Sequence, residues 1–164
     1  MSKAPGDRAD AGVGRMKIEH ILVPTDYSGH ALRALEWALL EARGSGARIT
    51  VLHVLDHGPH LALHGYATRP SEVDQAAAAE ALGDWVRTHA AQACVETNSV
   101  IGVGDPAHEI RATAARLGAD LIVMGSRGRT GLREIFFGSV ASTVVHHTGP
   151  PVVVVPPPTE AVLA

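Results

Sequence analysis

Residues 125–139 read GSRGRTGLREIFFGS, and their types and spacing suit one chemistry, the holding of phosphate. Gly125 and Gly128 lack a Cβ. Such positions accept unusual backbone angles and let a ligand approach the main chain, whose N–H groups then face an anion. After nine intervening residues, Gly138 and Ser139 stand at the start of an expected helix. The unpaired N–H groups and positive dipole end of a helix start attract phosphate, with the Ser139 hydroxyl as a further donor. Arg127 and Arg129 add positive charge to a chain that is otherwise acidic, with 14 Lys and Arg against 17 Asp and Glu. A glycine pair alone more often marks a tight turn. The Gly-Ser at a helix start turns the reading toward a polyphosphate.

Such a loop needs a frame, and the flanking pattern supplies one. Residues 17–26, KIEHILVPTD, form a short apolar strand stopped by Pro24 and Asp26. Ser28 is placed to cap the next helix, although Asp26 stands where it could do so instead. Ala31, Leu35, Ala38 and Ala42 make that helix's apolar stripe, and Gly44 is expected to end it. Residues 47–56 form a second strand and 56–70 a loop or insertion. Ser71 then opens a long helix with Leu82, Trp85, Val86 and His89 on one face. Residues 94–102 make a third strand, in which Cys94 is expected to be buried. Asp105 and Pro106 mark the start of a third helix, lined by Ala107, Ile110, Ala114 and Leu117. The run ADLIVMG, 119–125, is apolar almost throughout, as in a parallel strand buried on both faces. A helix over about 138–147 and a last strand, PVVVVP at 151–156, complete the alternation.

Alternating strands and helices imply a single-domain α/β fold: an open parallel five-stranded sheet, order 3-2-1-4-5, Rossmann-like, with helices on both faces. Ligands of such sheets sit outside the carboxyl ends of the strands where the order reverses. The first and fourth strands are neighbours there. PTDYS at 24–28 and the glycine loop therefore border one crevice.

The spacing G-x2-G-x9-G-S, met by Gly125, Gly128, Gly138 and Ser139, resembles the ATP-binding signature of the universal stress protein family. ILVPTDYS, TVLHVLD, VGDPAHEI, ADLIVMGSRG and PVVVVP are similar to that family in order and spacing, from about Lys17 to Pro156. The resemblance implies a family domain over 17–156, between a flexible extension at 1–16 and a tail at 157–164. It also implies an adenine-nucleotide site. Pro24, Thr25 and Asp26 would lie along adenine and ribose, Asp26 accepting from a sugar hydroxyl or an adenine-side donor. Val54 would pack on adenine and Met124 line the pocket floor. Gly125, Ser126, Arg127, Gly128 and Arg129 would wrap the phosphates, and Gly138, Ser139 and Val140 would close over them. The position after G-S-V, often a small hydroxylated residue in the family, is Ala141 here. The implied ligand is ATP, or AMP or ADP, with Mg2+ or Mn2+ on its phosphates rather than on protein side chains. A homodimer through 151–156 is expected on two grounds: the family resemblance, and an edge of consecutive valines that needs covering.

Other readings are weaker. The chain has 164 residues, 46% of them hydrophobic and only 4% aromatic, which suits one aliphatic core. A net charge of −3 offers no general attraction to nucleic acid or an anionic membrane. No run approaches the roughly 20 apolar residues of a membrane span. The first sixteen residues lack a signal peptide's apolar run, and a single cysteine fits a reducing compartment, so the expected address is cytoplasmic. GVGDPA at 102–107 fits the GxGxx[GA] dinucleotide pattern, but Pro106 removes a donor and Asp105 would oppose a pyrophosphate. No GxxxxGK[ST] occurs, and no nucleophile–base pair stands at an interpretable spacing. His57, His60 and His64 have helix-compatible spacing, and His146 and His147 sit at a helix end, where a dipole favours them. The expectation is a nucleotide-dependent regulatory protein with little or no hydrolysis. A slow ATPase or adenylate-transferring enzyme, or a nucleotide-free dimeric module, is the alternative.

Overall fold

Short apolar runs become strands, and capped, alanine-rich segments become the helices between them. The computed structural model describes residues 17–56, 69–128 and 138–156. Its elements are β1 (His20–Thr25), α1 (Gly29–Ser45), β2 (Arg48–Leu55), α2 (Glu72–Ala90) and β3 (Thr97–Val103), then α3 (Pro106–Leu117), β4 (Leu121–Gly125), α4 (Ser139–His147) and β5 (Val152–Val155). The strands lie in the order β3-β2-β1-β4-β5, and every pairing is parallel. This is the expected α/β architecture.

Alternate side chains of each strand serve the two faces, which is why the strands read as continuous apolar runs. Ile21, Val23, Ile49, Val51, Leu121 and Val123 meet Ala34, Leu35 and Ala38 of α1 and Leu82 and Val86 of α2. On the other face Leu22, Leu52, Ile122 and Met124 meet Ala107, Ile110 and Ala114 of α3 and Ala141 and Val144 of α4. β5 is an edge strand, with Val155 buried and Val152, Val153 and Val154 half-buried.

The helix starts form as their residues dictate. The Ser28 hydroxyl accepts from the Ala31 N–H at 3.3 Å, and Ser71 with Asp74 makes a reciprocal capping box. The Asp105 carboxylate accepts from the His108 N–H at 2.8 Å. Hydrogen bonding from Ser71 holds the Asp74 carboxyl below its usual range.

Two expectations fail. Gly44 does not end α1: the helix continues through Ser45, and Gly46, at φ 77°, takes the left-handed closing position. Cys94 is neither in a strand nor buried. The Arg43 guanidinium binds the carbonyls of Gln92 and Ala93 at 3.1 and 2.9 Å, and Ala93 is the residue drawn inside. Cys94 then turns outward at φ 52°, and β3 starts only at Thr97.

At the amino end of the sheet His20 is buried, its Nε2 2.8 Å from the Thr50 hydroxyl. Its Nδ1 lies 3.3 Å from the Leu117 carbonyl and 3.1 Å from the Arg48 guanidinium. Burial first, and Arg48 second, push the His20 pKa down. Among the described residues no helix is long and apolar enough to cross a membrane. The extension at 1–16, the tail at 157–164 and His57, His60 and His64 lie outside the described residues.

Candidate functional site

The strand order reverses between β1 and β4, and a cavity of about 200 Å³ opens at their carboxyl ends. Of the residues expected there, Pro24, Thr25, Asp26, Val54, Met124, Gly125, Arg127, Gly128, Gly138, Ser139 and Val140 line it together. Leu52, His53, Ile110 and Ala141 join them. Ser126 does not line it, and Arg129 lies outside the described residues. Leu52, Val54, Ile110 and Met124 make the floor apolar, while Asp26, Arg127 and Ser139 bring polar groups to the wall.

The signature glycines are needed for space, not for unusual backbone angles. None of Gly125, Gly128 and Gly138 lies in the left-handed region. A Cβ on Gly125 would stand 2.9 Å from the carbonyl carbon, oxygen and Cβ of His30, because the first turn of α1 crosses the end of β4. A Cβ on Gly128 would stand 3.1 Å from Asp26 Oδ2. Around Gly138 no atom of the described residues comes nearer than 3.6 Å to a Cβ position. One glycine serves the fold, one admits a carboxylate, and one leaves open room.

Backbone bonds join the two halves of the signature. The Gly138 N–H donates to the Ser126 carbonyl at 2.8 Å, and the Ser126 N–H donates to the Val155 carbonyl at 3.0 Å. Gly138 is therefore the N-cap of α4 but no anion donor itself. The N–H groups of Ser139, Val140 and Ala141 follow it at the helix start, and no side chain caps them. Arg127 also lines the cavity, and its Nε is buried without a hydrogen-bond partner, as is the Ser126 hydroxyl. Buried donors without acceptors are costly. An anion in the cavity would offer acceptors to Arg127 and the α4 amides.

The turn from β1 to α1 sets the opposite wall. Asp26 is not the helix cap, since that role falls to Ser28. Instead its Oδ1 accepts from the Ser28 N–H at 3.0 Å, which fixes the carboxylate beside Gly128. Tyr27 is left-handed at φ 64°, a conformation that costs roughly 1–3 kcal/mol in a residue with a side chain. Its N–H donates to the Thr25 hydroxyl at 3.1 Å, and its ring packs on His53 with centroids 4.5 Å apart. Burial raises its hydroxyl pKa. The His53 Nδ1 donates to the Thr25 carbonyl at 2.8 Å. Sequence reading missed both His53 and Tyr27. Only the place of Tyr27 next to Asp26 hinted at either.

The GVGDPA segment does not form a phosphate turn. Carboxylate oxygens of Glu109 lie 3.2 Å from a Cβ position on Gly104 and 3.4 Å from one on Gly102, so an acid fills the space a pyrophosphate would need. His146 and His147 donate through Nδ1 to the carbonyls of Ser142 and Thr143 at the end of α4.

Comparison with known proteins gives the family. Universal stress protein MJ0531 of Methanocaldococcus jannaschii is 35% identical over 134 residues, covering 80% of this chain and 78% of that protein. The solved structure of the hypothetical protein MJ0577 superposes with a TM-score of 0.72 at 29% identity, covering 86% of this chain and 97% of that one. The universal stress protein from Archaeoglobus fulgidus in complex with dAMP superposes with a TM-score of 0.62 at 28% identity, covering 84% and 98%. The universal stress protein family model matches residues 17–156. The chain belongs to the universal stress protein family.

Proposed function

We propose that this protein binds an adenine nucleotide in the β1–β4 cavity, ATP before AMP or ADP, and acts as a nucleotide-dependent regulatory protein. The observation that carries this reading is that the cavity is lined by the start of α4, whose amides no side chain caps, and by Arg127, whose buried Nε has no partner. The base would lie on the apolar floor of Val54 and Met124. The sugar would lie toward Asp26, and the phosphates at Arg127, Gly128 and the start of α4, where Gly138 leaves room. Mg2+ or Mn2+ would ride on the phosphates. The A. fulgidus relative in complex with dAMP supports an adenine ligand. ATP in particular rests on the signature spacing. Regulation is preferred to catalysis because, among the described residues, the cavity wall offers one carboxylate, already tied to the Ser28 N–H, and no hydrogen-bonded nucleophile–base pair. A cytoplasmic homodimer joined through residues 151–156 completes the proposal.

The test is direct. Mass spectrometry of the supernatant of purified, denatured protein should find an adenine nucleotide, and calorimetry should show ATP binding. Gly128→Glu with Gly138→Glu should abolish that binding by bulk and charge. If the double variant binds ATP as tightly as the native chain, the site is misassigned.

A further inference from the structure

We infer that His53 is a positioning residue for the nucleotide site: it holds the β1–α1 turn in the conformation that sets Asp26 against the glycine loop. The inference rests on the nucleotide reading above and deepens it. Thr25 and His53 are register partners in the parallel β1–β2 pair, so the imidazole stands beside the Thr25 backbone and its Nδ1 donates to that carbonyl at 2.8 Å. Beyond Thr25 the chain must turn sharply, and the turn passes through left-handed Tyr27. Two contacts hold Tyr27 there: its N–H on the Thr25 hydroxyl at 3.1 Å and its ring on His53 at 4.5 Å. Asp26 sits between two residues that His53 touches. Its carboxylate comes so close to Gly128 that a Cβ there would stand 3.1 Å from Oδ2.

The same ring stack reaches α2. Trp85 meets Tyr27 edge-on with centroids 5.9 Å apart, and His89 packs on Trp85 at 4.7 Å while its Nδ1 donates to the Trp85 carbonyl at 2.8 Å. The turn that presents Asp26 is thereby braced against a helix on the opposite face from α4. His53 also lines the cavity, so a direct contact with the ligand is the competing role. A double-mutant cycle separates the two, because residues acting through one another are not additive.

The experiment is calorimetric titration of the full chain with AMP, comparing the native protein, His53→Phe, Asp26→Ala, the double variant and His53→Asn. Phenylalanine keeps a ring on Tyr27 but removes the donor. Asparagine restores an N–H near the Nδ1 position. His53→Phe should weaken AMP binding roughly five- to tenfold, the worth of one hydrogen bond. In the Asp26→Ala background it should change binding by less than about twofold, and His53→Asn should recover most of the loss. Melting curves establish that each variant is folded. Should His53→Phe not fold, Tyr27→Gly takes its place: it tolerates the left-handed turn, removes the ring, and should be equally non-additive with Asp26→Ala. Additive losses would overturn the positioning role while leaving nucleotide binding intact, and so would a His53→Asn variant as weak as His53→Phe. A native protein that binds no adenine nucleotide overturns both readings.

Discussion

Gly125→Ala is the sharpest probe of how this fold is assembled around its loop. The added methyl would stand 2.9 Å from three atoms of His30, two of them backbone. Carbon–carbon contacts are comfortable at about 3.5–4.0 Å, so the overlap exceeds half an ångström. A flexible side chain could swing aside, but a helix backbone cannot. The whole first turn of α1 would have to lift off β4, and Ala31, Ala34 and Leu35 would be pulled from the core with it. Overpacking of a well-filled site costs about 1–3 kcal/mol, and the rigidity here puts the expectation at roughly 2–3 kcal/mol. Gly138→Ala is the control from the same signature. Its methyl meets nothing nearer than 3.6 Å among the described residues, so the loss should stay below about 1 kcal/mol, the usual cost of alanine at an N-cap. Nucleotide affinity should nevertheless fall, because the methyl enters the room left for phosphate. Urea unfolding of nucleotide-free protein at matched concentration keeps ligand and assembly effects out of the comparison. If Gly125→Ala unfolds within about 0.5 kcal/mol of the native chain, α1 does not depend on that glycine and the assignment of its role is wrong.

Hydrolysis should be slow, far below the common enzymatic range of about 1–1000 per second. Rapid Mg2+-dependent phosphate release surviving repurification would contradict the regulatory reading. His20 makes stability depend on pH. Its pKa in the folded chain lies below the ordinary histidine value, so the unfolded chain takes up the proton first as pH drops below about 6.5. Stability present above that pH is therefore lost on acidification until the buried ring protonates too. Urea midpoints at about pH 7.5 and 5.5 should fall further for the native chain than for His20→Gln, and equal falls would refute the linkage. Val153→Lys should convert a dimer sedimenting at micromolar concentration into a monomer, because charge is costly at a buried seam. Val155 is less suited to that test because it is buried within the core cluster that the half-buried Val153 only flanks. A native chain that sediments as a monomer removes the dimer.

Much of the frame is written locally. Ser28, Ser71 and Asp105 cap helices because their short side chains reach back to free amides, an interaction confined to four residues. β4 reads as doubly buried because Leu121 through Met124 have no polar member. The glycine spacing locates the loop for the same reason: it is a one-dimensional pattern. What the glycines do is not one-dimensional. The closeness of Gly125 to His30 depends on where α1 crosses β4, and the two stand 95 positions apart in the chain. His53 and Tyr27 were missed because a register pairing and a left-handed tyrosine leave no periodic trace. Cys94 was misplaced for a related reason: Arg43, far away in sequence, decides which residue after α2 turns inward.

The strand order explains why one signature does two jobs. Chain leaving β1 enters α1 on one face of the sheet, and chain leaving β4 enters α4 on the other, so the two departures part and leave a crevice between them. α1 must pass immediately beside the end of β4, which forbids a side chain at Gly125. α4 starts from the far side with its amides turned to the crevice, and the bond from the Gly138 N–H to the Ser126 carbonyl fixes that start against the end of β4. Gly138 is thus tied directly to Ser126, two residues before Gly128. Spacing in this motif records where the chain is tied. The ties are made by backbone atoms. On the proposed reading, phosphate would be held by what closing the fold already produces: an uncapped helix end, an arginine whose Nε lacks a partner, and a gap where no Cβ stands.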